Sequence, residues 1–230
     1  MAGQGARFGY RFKPFLDVWG QTFIEAAFLP FRPWLAQIAN VHFVFTREQD
    51  AAHDVRTRLL ELFPDVPHEA TILDAPTQGP AQTLDRCLEI KAVSGPVMVC
   101  DCDHAVNVDA LMRIAEERPE IECAVPTWDL EGEALHAWSV ASILRDGRIA
   151  AVAEKALPES GESFRGMIGC YYFADAARLR HLIARTGAMY LSDVIAGCLQ
   201  AERPVLSVAV REARFFGDPA RLARVASGHG

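Results

Sequence analysis

Val97-Met98-Val99-Cys100-Asp101-Cys102-Asp103-His104 runs from four apolar residues straight into a pair of carboxylates. A continuous apolar run of this length predicts a parallel strand covered on both faces. Alternation along an extended chain puts Asp101 and Asp103 on the same side, just past the strand's carboxyl end. Open α/β sheets bind their ligands there. Two hard carboxylates at such a point suit Mg²⁺, which prefers oxygen and shares its shell with substrate phosphates. His104 is a softer ligand and reads as an outer or substrate contact. A solvated acidic turn or a helix cap would use the same residue types.

Upstream of this stretch, Val41–Phe45 and Ala70–Leu73 read as strands. Between them Ala52, Val55, Leu59 and Leu62 recur at helical spacing as far as Pro64. The loop from Asp74 to Pro80 leads into a helix marked by Leu84, Leu88 and Lys91. Downstream, Leu111, Ile114 and Ala115 mark a helix and Cys123–Val125 a strand. This alternation predicts right-handed βαβ units and a three-layer α/β/α Rossmann-like mixed sheet. After residue 126 the pattern changes. Val140–Leu144, Asp146-Gly147 and Ile149–Val152 spell an antiparallel hairpin extension, with Asp-Gly suited to a two-residue type I′ turn. Ile168–Phe173 reads as a strand and Ala174–Arg185 as a helix. Ser192 or Asp193 is placed to cap a helix to about Ala201, before a strand at Val205–Val210 and a helix at Asp218–Val225.

The 230 residues are half apolar, which excludes intrinsic disorder. The net charge of −7 argues against a nucleic-acid backbone as main partner, though not against a nucleotide. No apolar stretch approaches the ~18–20 residues of a membrane span. Met1-Ala2-Gly3-Gln4-Gly5 is polar and glycine-rich, unlike a secretory signal. The six cysteines form no C-x-x-C pair and no zinc spacing, as expected of reduced thiols in a cytoplasmic protein.

Two further features carry chemistry. Gly3-x-Gly5-x-Arg7, followed by Lys13-Pro14, lets backbone N–H groups converge on a phosphate while two cations add charge. It is neither a Walker A loop nor a full dinucleotide fingerprint, and a glycine-rich tail would look similar. Glu154-Lys155 ends the hairpin's return strand, where the lysine can hold a phosphate and the carboxylate a hydroxyl. A surface ion pair is the plainer reading of that dipeptide.

Together, over nearly the whole chain, these residues resemble the nucleotidyltransferases (pyrophosphorylases) of the glycosyltransferase type A fold. The resemblance implies that Ala2, Gly3, Gln4, Gly5, Ala6 and Arg7, with Lys13 and Pro14, cradle a triphosphate. Gly79-Pro80-Ala81-Gln82 is similar to the family's base-reading loop, which gives Gly79 and Gln82 to the nucleotide. Asp101 matches the family's metal aspartate, with Asp103 nearby. Glu154-Lys155 matches its acceptor-holding pair, Gly169-Cys170-Tyr171-Tyr172-Phe173 its Gly-x-Tyr-x-Phe strand, and Tyr190-Leu191-Ser192-Asp193 its tyrosine-to-aspartate helix start. Trp138, Ser139 and Tyr171 are candidates to line the acceptor pocket, and ordinary core or strand packing accounts for each of them equally well. One domain over 1–230 is expected, with a nucleotide-binding half to about residue 126 and an acceptor-binding half from 127.

The sequence departs from the family in three places. Met1 stands where the first strand should be ending, so a start several residues upstream is expected. Phe215 occupies the position of a second metal aspartate, so either Asp103 or Asp218 takes that place or only one metal site is fully built. The short interval from Arg7 to Lys13 leaves the acceptor class open. The implied reaction is attack by an acceptor phosphate on the α-phosphorus of a nucleoside triphosphate, with Mg²⁺ as cofactor and pyrophosphate leaving. Arg7, Lys13 and Asp101 would be catalytic; Ser139, Glu154, Lys155 and Gly169 would bind the acceptor; Asp101, Asp103 and Asp218 would hold metal. The partners implied are these two small molecules, with no nucleic acid or membrane and scope for a homo-oligomer. A glycosyltransferase of the same fold and a non-catalytic nucleotide-binding relative are the competing readings.

Overall fold

The computed structural model describes residues 8–9, 11–159, 161 and 163–226. A 3-10 turn at Lys13–Phe15 precedes β1 (Asp17–Val18), β2 (Gln21–Thr22), α1 (Phe23–Phe28) and a 3-10 stretch at Leu29–Gln37. There follow β3 (Val41–Thr46), α2 (Arg47–His53), α3 (Val55–Leu62), β4 (His68–Leu73), α4 (Pro80–Ile90), β5 (Val97–Cys100) and β6 (His104–Val106). Next come α5 (Asp109–Glu117), β7 (Cys123–Trp128), β8 (Ser139–Ile143), β9 (Ile149–Glu154), β10 (Ser163–Met167) and β11 (Cys170–Phe173). The chain ends with α6 (Ala176–Thr186), α7 (Leu191–Gln200), β12 (Val205–Ala209), β13 (Ala213–Phe215) and α8 (Pro219–Ala226). The architecture is a mixed α/β sheet fold with an antiparallel hairpin extension. Two compact units share it.

One unit comprises Met1–Gln78, Asp101–Asn107 and Glu212–Gly230. In it β3 and β4 pair in parallel, from Val41 opposite His68 to Thr46 opposite Leu73. The single helix expected over 52–62 is two, because Asp54 takes a left-handed conformation at φ 48°. An aspartate tolerates that region. The buried Asp50 carboxylate then accepts the backbone N–H of Arg56 (3.3 Å) and pairs with its guanidinium (2.7 Å), satisfying a donor at the start of α3. Sequence patterning did not anticipate α1, whose Thr22/Glu25 capping box starts a helix that buries Phe23, Ile24, Ala26, Ala27 and Phe28. Phe23 meets Phe216 edge-on at 4.7 Å, within a cluster that includes Leu16, Val18, Ala26 and Ala27. β13 was likewise unforeseen, and it pairs antiparallel with β6, Phe215 opposite His104.

The second unit, Gly79–Cys100 with Val108–Arg211, holds a seven-stranded sheet in the order β5-β11-β7-β10-β8-β9, with β12 parallel to β7. β5 corrects the sequence reading: it pairs antiparallel with β11, Cys100 opposite Cys170, and its residues are only half-buried. An apolar run reports covered faces and carries no information about a partner's direction. The β8–β9 hairpin forms as expected, but its turn is longer than type I′. Gly147 N–H donates to Leu144 O and Leu144 N–H to Arg148 O, and Gly147 takes a positive φ while Asp146 does not. A type I turn followed by a left-handed glycine has this form. Helices α4, α6 and α7 cover one face through Leu84, Leu88, Leu179, Ile183, Val194 and Ile195. No single helix among the described residues is long and apolar enough to cross a membrane.

Cys123 and Cys198 lie inside this core. Burial, then the nearby charge of Glu122, pushes the Cys198 thiol up to about 12, and burial raises Cys123 well above its ordinary value. Thiolate, the reactive form, is therefore scarce at pH 8. Iodoacetamide at pH 8 should leave both residues unlabelled in the native protein and label both after denaturation, as read by peptide mass spectrometry. Labelling of Cys198 at the rate of a free thiol in the native state would contradict this environment.

Candidate active site

Lys13 opens the 3-10 turn, and rings on either side of it are anchored. Phe12 stacks on His53 at 4.1 Å, and the Arg58 guanidinium lies 3.9 Å over Phe15. From this turn the Lys13 ammonium donates to Asp103 Oδ2, an ion pair whose side chains are each about a quarter exposed. The other oxygen, Oδ1, lies 3.3 Å from Nδ1 of the buried His104. Burial opposes ionisation of Asp103, but the His104 hydrogen bond and the Lys13 charge outweigh it and hold the carboxyl below its ordinary range. Asp101 keeps solvent contact, yet protein atoms crowding its carboxyl, and then the charge of Asp103, raise its pKa. The acidic pair and Lys13 thus feel one another.

The chain's late segment runs along the same place. Phe216 N–H donates to Asp103 O at 3.0 Å, and Gly217 packs so tightly that a Cβ would stand 2.5 Å from Asp103 Oδ2. A glycine is needed there for space. Asp218 follows, accepting the Arg221 N–H at 2.9 Å in the first turn of α8 and pairing with the Arg221 guanidinium. Phe215 sits in β13 opposite His104. Ala2, Gly3, Gln4, Gly5, Ala6 and Arg7 lie outside the described residues.

In the second unit a hydroxyl pair surrounds Glu154, one of the side chains expected to meet an acceptor. Ser139 stands opposite it in the β8–β9 register and donates Oγ–H to Glu154 Oε2. Ser192 Oγ donates to the same oxygen at 3.0 Å. Lys155 follows at φ 56° with an exposed side chain, its N–H held by Trp138 O. Of the two cap candidates, Ser192 and Asp193, the structure selects the second. The capping belongs to Asp193, whose Oδ2 accepts the N–H groups of Met189 (3.0 Å) and Tyr190 (2.8 Å). Gln82 lies in the first turn of α4, and Ala81 N–H donates to Met189 O. Gly79 backs onto that same carbonyl with no room for a Cβ. Gly169 lies in the tight connection where Cys170 N–H reaches Ile168 O.

Mg²⁺ was implied by the resemblance. Among the described residues no group of three or more His, Cys, Asp or Glu side chains is arranged to hold a metal ion. The donor chemistry nevertheless fits Mg²⁺, which commonly takes one or two carboxylates and completes its shell with water and phosphate oxygens. Desolvation, and after it the charge of Asp103, raises Asp101, and the second of these is a repulsion of the kind a divalent cation relieves.

Comparison with known proteins agrees with this fold. The chain superposes on the nucleoside-diphosphate-sugar pyrophosphorylase of Vibrio cholerae with a TM-score of 0.79 at 20% identity, covering 99% of this chain and 98% of that one. It superposes on an apo UDP-glucose pyrophosphorylase with a TM-score of 0.78 at 13% identity, covering 99% and 95%. At these identities the likeness shows the fold. No curated protein matches the sequence. Residues 1–168 match the MobA-like NTP transferase domain, so the chain belongs to the MobA-like NTP transferase family of nucleotidyltransferases.

Proposed function

We propose that this chain transfers a nucleoside monophosphate from a nucleoside triphosphate to a phosphorylated small molecule, a sugar phosphate or similar ester, and releases pyrophosphate. The observation that carries the proposal is Lys13 paired with Asp103 beside Asp101: a cation and two carboxylates assembled before any substrate arrives. Phosphoryl chemistry of this kind needs positioning and charge neutralisation more than covalent help.

Lys13 Nζ would donate to the α-phosphate oxygens as charge builds there, exchanging Asp103 for substrate. Arg7 and the amides of Ala2, Gly3, Gln4, Gly5 and Ala6 would draw charge from the departing pyrophosphate. Gly79 and Gln82 would hold the nucleobase, Gln82 offering both a donor and an acceptor. Glu154 and Ser139 would take hydroxyls of the acceptor, Gly169 would leave its backbone open to it, and Lys155 would hold its phosphate. That phosphate is ionised at neutral pH, so no general base is required. Mg²⁺, when bound, supplies charge neutralisation at the α-phosphate, and Asp101 with Asp103 would hold it, with Asp218 as a third carboxylate proposed from the sequence. We place the reaction in the cytoplasm, in the supply of nucleotide-activated precursors for cell-surface polysaccharide or lipid.

A thermal-shift series with each of the four nucleoside triphosphates and Mg²⁺ should show one nucleotide raising the melting temperature above the others. With that nucleotide, pyrophosphate release against a panel of hexose 1-phosphates, an alditol phosphate and phosphocholine tests the transfer. Sugar transfer from a preformed nucleotide sugar, without pyrophosphate exchange, would instead mark a glycosyltransferase. Losing a preorganised charge costs about 3–4 kcal/mol of barrier, or ~10²–10³ in rate. Lys13→Ala and Asp101→Asn should each lower turnover by that factor while circular dichroism stays native. Near-normal turnover in either variant would remove the assignment.

A further inference from the structure

We infer that Ser192 is a positioning residue that fixes which oxygen of Glu154 faces the acceptor; the inference rests on Glu154 belonging to the acceptor site. A carboxylate has two oxygens and can turn about its last bond to offer either. Here Oε2 receives two hydroxyl donors from separate elements, Ser139 of β8 and Ser192 of α7. Two charge-assisted bonds on one oxygen lock the rotation and leave Oε1 as the oxygen presented to ligand.

Ser192 is suited to this work by its surroundings. It is 4% exposed, so its hydroxyl spends little time on water. It lies in the first turn of α7, where the helix dipole favours a nearby negative charge. Because Asp193 does the capping, the Ser192 hydroxyl is spared for Glu154. The turn is also held from outside: Met189 O accepts the Ala81 N–H, and Gly79 is pressed against that carbonyl. The loop bearing Gly79 and Gln82 therefore braces the same turn that aims Glu154. A ligand meeting Oε1 must bring its own donor, so the acceptor is one that carries a hydroxyl or an ammonium hydrogen.

The test uses Ser192→Ala, Ser192→Thr and Ser139→Ala in the full chain, with the nucleotide and acceptor that the wild type turns over. Loss of a hydrogen bond to a charged group predicts that Ser192→Ala raises the acceptor KM about tenfold or more. The nucleotide KM should stay within about twofold, and Ser192→Thr, which restores a hydroxyl, should return most of the acceptor affinity. Ser139→Ala should resemble Ser192→Ala. An unchanged acceptor KM in Ser192→Ala, an equal rise in both KM values, or no rescue by threonine would overturn the inference. Should the wild type turn over no acceptor in the panel, the nucleotidyl-transfer reading fails, and crystal structures of the wild type and the two Ser192 variants still decide this point. Glu154 turning away from Ser139 in the alanine variant alone supports positioning. Glu154 keeping its place in all three refutes it.

Discussion

Lys13 and Asp103 are ninety residues apart in sequence, and their ion pair is the contact on which the proposed polyphosphate end of the site depends. An ammonium and a carboxylate that are three-quarters buried have each given up much of their hydration. Neither can be left alone there cheaply. Evidence of that tension is the opposite shift of the two neighbouring aspartates, Asp103 held down by its partners and Asp101 driven up beside it. The segments that make the contact are themselves pinned. The 3-10 turn of Lys13 sits on ring stacking, and the strand after Asp103 is zipped to β13. A charged substrate arriving here meets groups already desolvated, which is where electrostatics act most strongly.

The second unit solves a different problem, that of holding a carboxylate in one orientation. Its means are the start of one helix and one strand register. Ser139 and Glu154 face each other because β8 and β9 pair in that register. The first turn of α7 divides its labour between adjacent side chains, Asp193 satisfying the helix's open N–H groups and Ser192 reaching the strand. Gly79 contributes by having no side chain at all.

Much of this was legible in the sequence because the chemistry restricts residue type. Asp101, Asp103 and Glu154 stood out as charged residues at the ends of apolar runs and Lys13 as a cation after the glycine-rich opening, and the structure pairs Lys13 with Asp103. The hairpin was legible from Asp146-Gly147. Its turn was not, since a left-handed glycine serves both a two-residue loop and the longer one that forms. The antiparallel pairing of β5 was hidden because strand direction depends on distant partners. The break at Asp54 was hidden because Ala52, Val55, Leu59 and Leu62 keep an uninterrupted helical phase. The choice between Ser192 and Asp193 stayed open because serine and aspartate can both cap a helix, and only tertiary placement shows which one does.

The stacking of Phe12 on His53 and of Arg58 on Phe15 has a consequence for how Lys13 can act. With both flanking residues moored, the main chain at position 13 surrenders its conformational entropy during folding, long before any ligand is met. What stays adjustable is the four-carbon stem alone. Such a side chain is a short crane on a fixed base, and under the proposed reaction it would swing its charge from a protein carboxylate to a phosphate while nothing beneath it shifts.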